Sequence, residues 1–166
     1  MGSQGTRAID AVRRAGVAHT VHEYAHDTRS TMRAGGAGYA LEAVDALGID
    51  PARVFKTIVV DVDGRLGLAV VPADAEVDLK AVAVALGGRR AAIARPADAE
   101  KATGYVLGGI SPLGTRRPLP TVVDASADAL PAIHVSAGRR GLELELAPAD
   151  LVRLVGGRLA PVARRP

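Results

Sequence analysis

Apolar and polar positions change period several times along the chain, and each change marks an element. Thr6 reads as the cap of a helix running to about Ala15, with Gly16 as its stop. Residues 17–24 read as extended, and 25–38, polar and glycine-rich, as a loop. Ala40, Leu41, Val44 and Leu47 share one helical face that ends at Gly48. Asp50-Pro51 is a cap followed by a proline suited to a first helical position. The apolar run 55–62 predicts a strand, and Asp63-Gly64 a hairpin turn into a second strand over 66–71.

Asp78 then caps a helix carrying Leu79, Val82, Ala83 and Leu86, closed by Gly87 and Gly88. A short strand follows over 91–94, and Pro96 opens a brief helix toward Thr103. Residues 121–124 and 132–136 read as strands, and 137–141 as the turn after them. On the return strand Leu142, Leu144 and Leu146 alternate with Glu143 and Glu145. Pro148 starts a helix through about Val155, and 159–162 is a last strand. Strands outnumber helices, and hairpins mix with longer crossovers. The expected fold is α+β: one domain over 1–166, with a curved, barrel-like mixed sheet flanked by helices.

Composition narrows the function. The chain has 166 residues, 48% of them hydrophobic, enough for one sizeable core. Aromatic residues are 2%, namely Tyr24, Tyr39, Phe55 and Tyr105, too few to stack a run of nucleobases. The absence of cysteine removes disulfides, thiolate zinc sites and a cysteine nucleophile. There is no apolar span of membrane length and no signal-peptide core at the N-terminus, so a cytoplasmic location without membrane contact is expected. Net charge is +3, and 18 of the 21 basic residues are arginine, five times as Arg-Arg pairs. That mild excess suits a partner touched at a few phosphates.

The segment of most interest is Gly104-Tyr105-Val106-Leu107-Gly108-Gly109-Ile110-Ser111-Pro112-Leu113-Gly114. Four glycines and a proline make it a poor helix and a poor strand. It reads as a shaped loop whose N–H groups can face an oxygen or anion. Lys56 interrupts the apolar strand 54–60, where alternation sets it with Val54, Ile58 and Val60. It either lines a cavity or guards a sheet edge. Ser111 lacks the strand–turn–helix setting of a hydrolase serine. His19, His22 and His26 are spaced for neither one helical nor one strand face, so no metal is expected, and His134 reads as structural. In 135–143 a serine, a small-residue bend, Arg139, Arg140 and Glu143 could rim a pocket.

Four segments together resemble the YbaK family of aminoacyl-tRNA deacylases. They are 22–27 (His-Glu-Tyr-Ala-His-Asp), Phe55-Lys56-Thr57, the glycine-rich loop within 103–114, and 135–143. The likeness runs from about Arg7 to Arg164 and is nearer to the freestanding Cys-tRNA(Pro) deacylases than to the editing domain inserted in prolyl-tRNA synthetases. It implies a pocket for the aminoacylated 3′ end of tRNA and no cofactor, with prolyl-tRNA synthetase as a further partner. The family's essential lysine falls on Lys56, beside Thr57. Its pocket tyrosine falls on Tyr24, its serine on Ser136, and its glycine loop on Gly108, Gly109, Ile110, Ser111 and Pro112. Where the family commonly has aspartate, this chain has Glu143, one methylene longer.

The same resemblance implies a mechanism in which the thiol of a misattached cysteine attacks its own carbonyl. Lys56 would hold a terminal phosphate or ribose oxygen, and the N–H groups of Gly108, Gly109 and Ile110 would face the scissile carbonyl. Tyr24, Ser136 and Glu143 would orient the aminoacyl group or the terminal adenosine. The alternatives are a water-using deacylase of Ala-tRNA(Pro) or another mischarged tRNA, and a noncatalytic module that binds a tRNA end or a synthetase.

Overall fold

The computed structural model describes residues 5–25 and 38–165. In chain order its first half contains α1 (Arg7–Ala15), β1 (His19–Glu23), α2 (Gly38–Leu47), β2 (Phe55–Val62), β3 (Arg65–Pro72), β4 (Glu76–Val77) and α3 (Leu79–Ala85). The second half contains β5 (Ala91–Ile93), α4 (Pro96–Thr103), β6 (Thr121–Asp124), β7 (Ile133–Arg139), β8 (Leu142–Leu146), α5 (Pro148–Val155), β9 (Arg158–Ala160) and β10 (Ala163–Arg164). Short 3₁₀ turns occupy Pro51–Arg53 and Ala125–Ala129. His26 and most of the loop expected over 25–38 lie outside the described residues.

The strands form three sheets. A five-stranded mixed sheet has the order β5-β2-β3-β6-β9, with β2 antiparallel to β3 and β5, and β6 parallel to β3 and β9. A three-stranded antiparallel sheet has the order β1-β8-β7, and β10 pairs with β4. A parallel bridge from Val54 to His134 joins the two larger sheets at a corner. The fold is α+β as expected, but the sheet does not close into a barrel.

Local chemistry accounts for the frame. At the β2–β3 turn Asp63 and Gly64 have φ of 51° and 89°, the positive values that a tight primed hairpin needs. The Asp63 carboxylate accepts the Arg89 and Arg90 amides and fastens the hairpin to the chain entering β5. The Thr6 hydroxyl oxygen accepts the Ile9 amide, and the hydroxyl donates to the Ala137 carbonyl at 2.6 Å, so one residue caps α1 and docks it on β7.

Three apolar clusters hold the layers together. The main one packs Phe55, Val59, Leu68 and Val70 of the large sheet against Ile133, Val135, Leu142 and Leu144 of the small one, with Ile9, Val12 and Leu151 filling in from α1 and α5. A second joins Val60, Val62, Ala69 and Val71 to Val82 and Ala83 of α3. A third seats Ala40 and Ala43 of α2 on Val54 and Ala73.

Three boundaries differ from the sequence reading. The segment 137–141 is not all turn: β7 continues to Arg139 through a bulge between Ser136 and Arg139. The last strand is two pieces, β9 and β10, because Asp124 Oδ1 accepts the Val162 and Ala163 amides at 3.0 Å and redirects the chain. β4 is a two-residue strand with no periodicity to reveal it.

Candidate active site

A cavity of about 320 Å³ opens where β2 meets the β7–β8 hairpin. That is within the usual range for a small-ligand site. Five consecutive β2 residues, 55–59, line it, so the strand runs along the wall instead of presenting a single face. Of the residues singled out from sequence, Lys56, Thr57, Tyr24, Ser136, Glu143, Gly108 and Ile110 all lie on the lining. They come from β2, the end of β1, β7, β8 and the glycine-rich loop, segments far apart in the chain.

Lys56 is partly buried and has no ion-pair partner among the described residues. Burial lowers its ammonium pKa from the ordinary value, against the opposing pull of Glu76 and Asp74. Asp74 is itself held by Arg165 at 2.8 Å. The Lys56 ammonium is therefore a cation with capacity to spare.

Glu143 is the opposite case. It is 6% exposed, and its Oε2 has no hydrogen-bond partner. Burial raises its carboxyl pKa to about 8. Ladder register places it directly across from Ser136 on one side and His22 on the other, so all three share one face of the small sheet. The nearby Tyr24 phenol is pushed up to about 12, first by burial and next by the charge of Glu143. The Thr57 Oγ1 is also buried without a partner. Unpartnered buried polar atoms are costly, and their convergence on a cavity marks it as a place that receives polar groups.

The glycine-rich loop forms the facing wall, and it holds its shape through its own side chains. Tyr105 is buried and its hydroxyl donates to the Leu113 carbonyl at 2.5 Å. Ser111 is fully buried, and its Oγ accepts the Leu113 amide at 3.2 Å. Ser111 and Pro112 do not line the cavity, which removes Ser111 from direct contact with a ligand there.

Gly109 also departs from expectation. Its N–H is used within the loop, donating to the Val106 carbonyl at 2.9 Å, and it is not on the lining. A Cβ there would stand 2.9 Å from the backbone of Arg139 and Arg140, so Gly109 is the contact that lets the loop close against the hairpin. Positive φ falls instead on Gly108, at 92°, where a Cβ would strike the Tyr39 ring at 2.6 Å. The N–H groups of Gly108 and Ile110 make no hydrogen bond to another described residue.

Arg139, expected at a pocket rim, lines the cavity, and two further contributors escaped sequence reasoning. Tyr39 also lines the cavity. Glu42, buried on α2, takes Arg140 in a two-pronged contact at 3.3 and 3.2 Å, and the Arg140 guanidinium lies 5.4 Å from the centre of the Tyr39 ring. The adjacent arginines thus divide the labour: Arg140 anchors α2, while Arg139 is left at the exposed rim. Glu42 lies off the stripe of Ala40, Val44 and Leu47, so no local pattern announced its burial. Ile93 and Leu107, both well exposed, complete an apolar lip.

A mixed α+β frame brings a lysine, a carboxyl group and free loop amides to one cavity, a setting suited to a small polar or charged group. The family model for the aminoacyl-tRNA editing domain matches residues 36–154, a narrower span than the sequence likeness covers. The chain belongs to that family, and its setting is therefore tRNA editing and translation fidelity.

The chain is 38% identical over 128 residues to EbsC of Enterococcus faecalis, a candidate Cys-tRNA(Pro)/Cys-tRNA(Cys) deacylase, covering 76% of this chain and 77% of that protein. It is 34% identical over 88 residues to the multifunctional Ser/Thr-tRNA deacylase ProXp-y of Escherichia coli K12, covering 52% of this chain and 53% of that one. In fold it matches a solved structure described as a candidate trans-editing enzyme for prolyl tRNA synthetase, with a TM-score of 0.80, 24% identity and 95% of each chain covered. Among the described residues no helix is long and apolar enough to cross a membrane.

Proposed function

We infer that this chain is a trans-editing aminoacyl-tRNA deacylase acting as one editing domain, with Cys-tRNA(Pro) as its preferred substrate and Cys-tRNA(Cys) as a second. The observation that carries the reading is the convergence of Lys56, Glu143 Oε2, Thr57 Oγ1 and the Gly108 and Ile110 amides on one cavity with none of these groups engaged elsewhere. The similarity to EbsC supports the choice of cysteine.

In this reading Lys56 holds a phosphate or ribose oxygen of the terminal adenosine. The Gly108 and Ile110 amides face the ester carbonyl and stabilise the charge that develops on its oxygen. Glu143 and Ser136 take the amino group of the misattached residue, and Tyr24 packs beside it. The lining includes no cysteine and no histidine beside Ser136, so it offers no activated enzyme nucleophile. The substrate's own thiol supplies one. Its sulfur attacks the ester carbonyl, the C–S bond forms and the ester C–O bond breaks. The proton released by the thiol goes to the departing 3′ ribose oxygen through solvent, leaving a thiolactone that water opens. The enzyme contributes position and charge.

A second reading is a deacylase that admits water and takes a different aminoacyl group; the likeness to ProXp-y over half the chain favours it. Prolyl-tRNA synthetase is the protein partner this reading expects in either case, and weak selection among tRNAs by the chain alone would support it. Deacylation of Cys-, Ser- and Ala-tRNA(Pro) separates the two. Thiol attack predicts fast loss of cysteine and slow loss of serine and alanine, because a hydroxyl ionises far less readily than a thiol and a methyl group not at all. Equal rates on all three substrates establish the water-using reading.

A further inference from the structure

The polar face of the small sheet continues past Glu143 to three side chains that deacylation does not use. His22 on β1, His134 on β7 and Glu145 on β8 come from three adjacent strands. One nitrogen or oxygen from each lies within 4.8 Å of the others. His22 Nε2 is 2.9 Å from Glu145 Oε1, and His134 Nε2 is 3.9 Å from Glu145 Oε2. The two rings lie 5.4 Å apart, tilted by 42°.

A simple ion pair needs only His22 and Glu145. The third member is unexplained by it. His134 is 4% exposed, its Nε2 is too far from Glu145 for a hydrogen bond, and its Nδ1 has no partner. The imidazole is thus buried beside a carboxylate with neither nitrogen well satisfied. His22 and Glu145 remain 31% and 29% exposed at their side chains, which leaves a path from solvent.

We propose that His22, His134 and Glu145 form a binding site for one divalent transition metal of the zinc class. Bonds of about 2.0–2.2 Å in tetrahedral geometry set ligand atoms roughly 3.3–3.5 Å apart. His22 stands 2.9 Å from one Glu145 oxygen and His134 3.9 Å from the other, with one donor atom from each residue within 4.8 Å of the rest, so the side chains draw together around a metal while the ladder stays fixed. Two imidazoles and one carboxylate favour zinc, cobalt, nickel or copper over magnesium and calcium. The fourth position goes to water on the exposed side. Bound there, the metal clamps β1 to β8 and β7, and so fixes Tyr24, which follows β1 into the cavity wall. The site is independent of the deacylase reading, since its test reads metal and not turnover.

The chain is stripped with a chelator and titrated with Zn²⁺ alone by calorimetry and with Co²⁺ by visible absorption. The expected result is one equivalent per chain, the intense bands of four-coordinate Co²⁺, and a thermal midpoint raised by about 5–10 °C when free metal is 100-fold above its dissociation constant. Glu145→Gln and His22→Asn, at partly exposed positions, should weaken binding tenfold or more, while His19→Asn leaves it unchanged. A wild-type chain that takes up no stoichiometric metal overturns the proposal, and that titration decides it even if a variant fails to fold. Binding that survives both substitutions in folded protein also overturns it.

Discussion

The two walls of the cavity work in opposite ways. In the loop 104–114, side chains turn inward: Tyr105 and Ser111 satisfy the Leu113 carbonyl and amide, and what faces the cavity is mainly backbone. In the β7–β8 hairpin, the backbone is consumed by ladder hydrogen bonds, and what faces the cavity is side chains, Ser136 and Glu143. A site that must stabilise an oxyanion and also recognise an amino group needs both kinds of wall. Rigid amides suit a charge that appears only during reaction. A side chain of fixed length suits a group already present in the substrate. The difference implies that the loop is sensitive to shape and the hairpin to chemistry.

The largest effect is expected at Lys56, on the strand between the walls. Lys56→Ala should fold normally and lose most deacylation, on the order of 100-fold or more, since a charge-assisted contact to the terminal adenosine disappears. Lys56→Arg should not restore it fully, because a planar fork aims differently from a point charge. A single-turnover time course with circular dichroism of each variant checks both points.

On the hairpin, Glu143→Gln keeps size and removes the capacity to ionise when an ammonium arrives. The expected result is a weaker grip on the amino group, roughly 10-fold or more in kcat/KM, with the fold intact. Its stability should also lose a pH dependence. The native carboxyl titrates near pH 8 and the unfolded one near 4.5, so between these values the native state holds the extra proton. Wild-type stability should then carry a fall as pH rises through this window that Glu143→Gln lacks, the difference between the two profiles being measured by denaturant unfolding in chelator-treated buffer.

On the loop, Gly109→Ala sharpens the comparison. It adds one methyl group outside the cavity, 2.9 Å from the hairpin backbone. The wall must shift, and turnover should drop by about 10-fold or more, toward the loss that follows when an oxyanion donor is removed. Unchanged kcat would mean that the loop's closure on the hairpin is not needed.

The smallest effect on chemistry is expected at Ser111. Ser111→Ala removes the acceptor for the Leu113 amide and should reduce stability by about 1 kcal/mol while retaining substantial Cys-tRNA deacylation. Loss of all turnover in folded Ser111→Ala protein would return this serine to the chemistry.

Much of this geometry was legible in the chain itself. Capping residues such as Thr6 and Asp78, and the Asp63-Gly64 turn, act locally, so their elements are placed by sequence nearly to the residue. The lining positions Lys56, Tyr24, Ser136 and Glu143 were reachable through family likeness, yet alternation alone would send Glu143 to solvent alongside Glu145. Burial of Glu143 is decided by the β1 and β7 neighbours, which no local pattern encodes. Ser111 and Gly109 lie in the most conspicuous motif, but which side of a loop faces a cavity depends on how it docks. The His22–His134–Glu145 group was invisible for the same reason: the histidines near one another in sequence are not the ones the sheet brings together.

The central claim is that the cavity between loop and hairpin removes a misattached amino acid from tRNA by means of Lys56. The most direct measurement is the time course of Cys-tRNA(Pro) deacylation by the wild-type chain and by Lys56→Ala, each verified as folded, against buffer alone. The expected result is rapid clearance by wild type and a rate near that of buffer for the variant. Clearance by Lys56→Ala at the wild-type rate, or none above buffer by wild type, would contradict it.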